Sequence, residues 1–224
     1  QIEKLEELRH YGGARVTEGL TDAIVSQFLL TDDSLKRAVD QALLNHRLLR
    51  DEHGLLLAMD EAEAIALVQD DYVNFYAPET VNPYIALAAA GPWIISAHGA
   101  VIHDSGGYGM LGMGHGPVDV LSTMAEPWVM ANVMTPSFSH KRLGDRLRIE
   151  IGHARKGGCP FSRFVAMNSG SESVTVAARI ADVNALHLTG PGGCQEGRQI
   201  SFLGLTGGFH GRTDRPAQVS DSSM

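Results

Sequence analysis

Apolar residues recur at three- and four-residue spacing through the first third of the chain, and the pattern predicts helices over residues 1 to 76. Thr31-Asp32-Asp33 is an N-cap cluster, and Leu35, Ala38, Val39, Ala42, Leu43, His46 and Leu49 follow on one helical face. Asp51-Glu52-His53-Gly54 is read as the end of that helix. A further helix is expected from near Asp60 through Ala64, Ile65, Leu67, Val68 and Tyr72. The texture then changes. Trp93-Ile94-Ile95-Ser96-Ala97 and Ala100-Val101-Ile102-His103-Asp104 are short β-type runs, with His98-Gly99 between them as a hairpin turn. Val118 to Val133 reads as a helix interrupted at Pro127, and Thr135-Pro136-Ser137 caps one carrying Leu143, Leu147, Ile149 and Ile151. Gly157-Gly158-Cys159-Pro160 breaks that helix.

A βαβ unit is expected next. Phe164-Val165-Ala166-Met167 reads as a buried strand, Asn168-Ser169-Gly170-Ser171 as a tight turn, and Glu172 to Asp182 as a helix. Ile200-Ser201-Phe202-Leu203-Gly204-Leu205 returns as a second strand and runs into Gly207-Gly208-Phe209-His210-Gly211-Arg212-Thr213. The small-residue turn at a helix N-terminus offers backbone N–H groups and hydroxyls to an anion, of which phosphate is the commonest. Phe209 and His210 would emerge beside it, at the strand edge where open α/β sheets bind ligands.

Composition narrows the function classes. A net charge of −8 provides no basic stripe for a nucleic acid. No apolar run reaches the length of a membrane span, and Gln1-Ile2-Glu3-Lys4-Leu5-Glu6-Glu7-Leu8 is too charged for a signal peptide. Cys159 and Cys194 stand alone without ligand-pair spacing, so a reducing, cytoplasmic setting is expected. No metal site is expected, because His98, His103 and His115 lack helical pairing and a neighbouring cysteine. Gly106, Gly107, Gly109, Gly112 and Gly114 make a loop whose backbone needs close approach or unusual angles. Met110, Leu111 and Met113 within it are too apolar for a solvated linker.

Taken together, three motifs carry a resemblance. Asn168-Ser169-Gly170-Ser171-Glu172, then Gly207-Gly208-Phe209-His210-Gly211-Arg212-Thr213, with Asp104-Ser105-Gly106-Gly107 and Leu111-Gly112-Met113-Gly114-His115-Gly116-Pro117 upstream, resemble the class III (ω-amino-acid) aminotransferases. The resemblance runs from about Ile95 to Thr213 in the family's order. It implies the N-terminal half of a fold-type-I α/β transferase dependent on pyridoxal 5'-phosphate, with a mixed, mostly parallel sheet and flanking helices. It divides the chain into a helical extension (1–90), a small-domain segment with the glycine-rich loop (91–134) and the beginning of the large cofactor-binding domain (135–224).

By resemblance, Gly170 and Ser171, with Ser169 close by, bind the cofactor phosphate. Phe209 stacks on the pyridine ring, His210 lies near the cofactor, and Arg212 sits on the substrate side. Glu172 is structural, at the start of its helix. The partners implied are an amino acid or ω-amine as amino donor, an oxo acid as acceptor, and a second copy in a homodimer. Departures accompany these matches. Only His115 stands where the family has a His-x-His pair, and the first ninety residues have no recognised counterpart. The family's Schiff-base lysine and the Asp that pairs with the ring nitrogen belong to its C-terminal half, beyond Met224. Lys4, Lys36, Lys141 and Lys156 match no such position, so no catalytic residue is assigned, and this chain by itself is expected to be inactive. Two alternatives stay open: a non-catalytic pseudo-enzyme that binds phosphate or serves assembly, and, within the same fold, an aminomutase or decarboxylase.

Overall fold

The structure, a computed structural model, describes residues 1–73, 80–106, 112–129 and 134–221. The protein is mixed α/β and divides into two compact units, Gln1–Trp128 and Val129–Met224.

The first unit is built on α3 (Asp33–Ala58), preceded by α1 (Ile2–Tyr11) and α2 (Asp22–Thr31) and followed by α4 (Glu61–Asp70). Leu35, Ala38, Val39, Ala42, Leu43 and His46 are buried on α3, at the spacing that makes one continuous helical stripe. That stripe packs on α1 through Leu5 and Leu8 and on a three-stranded sheet through Ala88, Trp93, Ile95 and Val101. The sheet has the order β1 (Ala86–Ala90), β2 (Trp93–Ser96), β3 (Val101–His103), and both pairings are antiparallel. Ala88 pairs with Ile95 and Ala90 with Trp93; Ile94 pairs with Ile102. The expected hairpin therefore forms, turning through Gly99 at φ +72°.

Asp32 ties helices to sheet. As the N-cap of α3, its carboxylate accepts from the Ser34 and Leu35 backbone N–H groups at 2.8 and 3.3 Å, and from Trp93 Nε1 at 2.7 Å. Burial pulls its acidity toward the neutral form, but the donors from Trp93, Ser34 and Leu35 outweigh it, and the carboxyl is held below its ordinary range. At the hairpin turn, Arg9 holds Asp22 through two bonds of 2.9 and 2.8 Å and donates from Nε to the Gly99 carbonyl at 3.0 Å. Glu61, fully buried at the start of α4, accepts the Val16 and Thr17 N–H groups at 2.7 and 2.6 Å and so fixes the segment between α1 and α2.

The second unit contains α6 (Phe138–Gly152), α7 (Gly170–Thr189) and α8 (Asp214–Val219); α5 (Val118–Met124) belongs to the first. Neither α6 nor α7 buries a residue. α8 packs on α7, with Arg215 bonded to both oxygens of Asp182 at 2.8 and 2.6 Å.

Several expectations are corrected here. The helical backbone of α3 is interrupted within the expected Asp51–Gly54 end, at His53, where φ is −132° and ψ 29°; what was not expected is the second helical piece that follows the kink and runs to Ala58. Helix α5 ends at Met124, and residues 130–133 of the longer helix expected there lie outside the described residues. The strands expected at 164–167 and 200–205 are not formed, although the helix between them is, and it is longer than expected. A strand is defined by a hydrogen-bonded neighbour. Among the described residues none lies beside either run, and Val165, Phe202, Leu203 and Leu205 are exposed. The described sheet is antiparallel rather than mostly parallel, and it lies at 86–103. Strand β1 was not anticipated.

Candidate functional site

The residues singled out for phosphate and ring binding all lie in the second unit, around the N-terminus of α7. Ser169 is its N-cap, with extended φ and ψ of −146° and 161°, and its Oγ accepts from the Glu172 backbone N–H at 3.2 Å. Glu172 reaches back to accept the Asn168 N–H at 2.8 Å. The Ser-x-x-Glu spelling thus folds into a capping box, which satisfies one helical N–H and orders the turn. Glu172 is structural, as its position at the helix start suggested.

The helix begins at Gly170, and a Cβ placed there would meet no atom within 4 Å. Gly170 is itself exposed, on the end of a twenty-residue helix whose dipole favours negative charge.

The second motif comes to the same place. Gly211 is buried at φ +123°, and a Cβ on it would collide with Ser171 Oγ and stand 3.0 Å from Pro216 Cβ. Glycine is required there on both counts: the left-handed backbone and the close packing against Ser171. The loop is clasped from its far side. Ser220 Oγ accepts the His210 N–H at 2.9 Å, and its one proton faces two acceptors, the Pro216 carbonyl at 2.9 Å and the Gly211 carbonyl at 3.0 Å. Asp221 accepts the Gly207 N–H at 2.8 Å and donates its own N–H to the Gly208 carbonyl at 2.9 Å. Helix α8, whose C-cap Ser220 and the following Asp221 supply this clasp, was not visible in the sequence reading. Its six residues, Asp214–Val219, are too short to show a period.

Phe209 is half exposed, and the Arg212 guanidinium carbon lies 5.8 Å from its ring centroid. The structure thus brings Ser171 and Gly211 into contact, with Ser169 and Gly170 next to one and Phe209, His210 and Arg212 next to the other. Of the lysines in this unit, Lys141 is exposed and bonded to Asp145 at 2.6 Å, and Lys156 is exposed.

The third motif lies in the first unit and forms a separate feature. His115 Nε2 and Asp104 Oδ2 are 2.9 Å apart, and the backbones of His115 and Gly91 exchange two hydrogen bonds of 2.7 and 2.8 Å. Gly91 and Gly114 sit at φ +56° and +74°, and a Cβ on Gly114 would stand 2.7 Å from the Gly91 carbonyl oxygen. Asp104 is held from the other side by its N–H bond to the Pro92 carbonyl at 2.7 Å. The two feet of the glycine-rich loop are thus pinned to one turn, beside a cavity of about 420 Å³ that His103 and Met113 also line. Residues 107–111 lie outside the described residues.

Among the described residues no three His, Cys, Asp or Glu side chains group as a metal site, and no described helix is long and apolar enough to cross a membrane. No protein-family model matches this chain, no curated protein matches it, and no solved structure matches it.

Proposed function

We propose that the chain carries the phosphate- and ring-holding part of a fold-type-I, pyridoxal-phosphate-dependent aminotransferase site of class III type. The observation that supports this reading most directly is the contact between Ser171 and Gly211. Two motifs forty residues apart in sequence meet at an exposed helix N-terminus, which is where a phosphate-bearing ring would need both.

The residues present fit such a group. The N–H groups at Gly170 and Ser171 and the hydroxyls of Ser169 and Ser171 would receive the phosphate, with the α7 dipole adding to the attraction. Phe209, half exposed beside them, would cover one face of the pyridine ring, and His210 would flank it. Arg212 would orient a substrate carboxylate. When bound, pyridoxal phosphate supplies an electron sink at the amino-bearing carbon of an amino acid or ω-amine, the chemistry of amino transfer to an oxo acid. The chain's own share is binding and orientation. Capping by Ser169 and Glu172 keeps the turn ordered, and the Ser220–Asp221 clasp keeps Phe209 in place.

Titration with pyridoxine 5'-phosphate and with pyridoxine tests the reading. Both carry an alcohol in place of the aldehyde, so neither condenses with surface lysines such as Lys156. The phosphate form is expected to bind at least about tenfold more tightly, a difference of ~1.4 kcal/mol. Phe209→Ala is expected to weaken it by ~1–3 kcal/mol through lost stacking and burial. Equal affinity for the two ligands, or an unchanged affinity in Phe209→Ala, overturns the assignment.

A further inference from the structure

The outer face of α3 carries a second regular stripe besides the one that packs on the sheet. Arg37, Gln41, Leu44, Leu48 and Asp51 are all exposed, and they follow one another at intervals of four, three, four and three residues. That alternation is the heptad spacing by which one helix packs along another, and all five residues precede the kink at His53. Leu44 and Leu48 at the centre are 52% and 63% exposed, where a solvated helix face would carry polar side chains.

The free charges sort to the two ends of this seam. Most charged side chains of α3 are engaged within the chain: Asp33 with Lys36, Asp40 with Lys4, Arg47 with Glu7, and Arg50 over the Tyr11 ring. Three are left. Arg37, toward the N-terminal end, bonds the Ser34 hydroxyl at 3.2 Å and makes no ion pair among the described residues. Asp51 and Glu52, toward the other end, have neither an ion pair nor a side-chain hydrogen bond among the described residues.

We propose that a second copy of this chain docks on this face, α3 against α3, with the two helices antiparallel about a two-fold axis. Charge decides the direction. A parallel pair sets Arg37 beside Arg37 and Asp51 beside Asp51, like against like. In an antiparallel pair, seating Leu44 against Leu48 of the second copy brings Gln41 opposite its Asp51. Arg37 then lies about one turn from Asp51 and Glu52 of the second copy, within reach of a long side chain. The two-fold axis repeats each contact, so one patch is complementary to itself and no other surface is required. The leucines supply burial and the end charges set the register. None of these residues belongs to the site around α7, and the proposal stands apart from the reading of that site.

Sedimentation equilibrium of the full chain is the test, and a concentration-dependent dimer is expected. Leu44→Gln/Leu48→Gln, altered only at exposed positions, is expected to keep its helical circular dichroism and to raise the dimer dissociation constant at least about tenfold. Arg37→Glu should raise it about threefold or more, and adding Asp51→Arg and Glu52→Arg to that variant should bring it back to within about twofold of the starting value. Three outcomes overturn the proposal. The chain stays monomeric up to about 1 mM; it dimerises equally well as Leu44→Gln/Leu48→Gln, which places the contact on another surface; or the reversed charges give no recovery over Arg37→Glu alone.

Discussion

The two units of the chain use apolar residues in opposite ways. In the first, Leu35, Val39, Trp93, Ile95 and Val101 are at most 1% exposed and make one core. In the second, Ile180, Leu186, Phe202 and Leu203 are 60% exposed or more, and the buried positions among the described residues are Gly211 and Pro216. Local order in the second unit comes instead from hydrogen bonds: the capping box of α7, the Ser220–Asp221 clasp and the Arg215–Asp182 pair. The lesson is that a helix can be specified by its caps and still leave its apolar face open. Burial stabilises at about 25 cal/mol per Å² removed from water, whereas a solvent-accessible cap or ion pair contributes about 1 kcal/mol or less.

The sharpest way to break the comparison is Trp93→Ala. Its indole is buried, bonded to Asp32 and edge-packed on Phe28 and His103 at 4.9 Å each. Denaturant unfolding is expected to show a loss of about 3–5 kcal/mol, confined to the first unit. Asp32→Ala should follow, at about 1–3 kcal/mol, because it removes the α3 cap and leaves the Trp93 N–H buried without an acceptor. The His46 contribution is read from pH. Its folded-state ring binds protons less readily than the unfolded chain's, so the unfolded state takes up more protons as pH falls below about 6.5. Stability of the first unit should therefore decline from there toward the depressed folded value. His46→Phe should flatten that limb in thermal melts recorded between about pH 7 and 5. Smallest of all is Leu203→Ala, at a side chain 93% exposed, expected to change unfolding free energy by no more than about 0.5 kcal/mol. A large loss there would show that the second unit buries this face in solution.

Most of the first unit was legible. The α3 stripe was read residue by residue, with His46 as one of its members and Asp32 at its cap, because three- and four-residue spacing is a direct image of a half-buried helix. The hairpin was legible from β-branched runs around His98-Gly99. Strand β1 escaped because Ala86-Leu87-Ala88-Ala89-Ala90 neither alternates nor favours strands; pairing with β2 and packing on α3 make it one. The opposite error arose at 164–167 and 200–205, where apolar, β-type composition reports a wish for burial but does not provide a neighbouring strand. Around the candidate site, the Ser169–Glu172 cap could be read from its spelling. The Gly211–Ser171 contact and the Ser220 clasp could not, since they depend on how α8 folds back on α7.

The pinning of Asp104 and His115 to the Gly91–Pro92 turn has a consequence for how this chain tolerates change. A loop whose ends are held by the body of the fold can be lengthened at the cost of closure entropy alone, about 0.6 kcal/mol for each doubling. Replacing Gly114 by alanine would press a methyl group onto the Gly91 carbonyl and loosen both feet at once. Sequence drift in this region meets a hard boundary at the base of the loop, where Gly114 lies against Gly91.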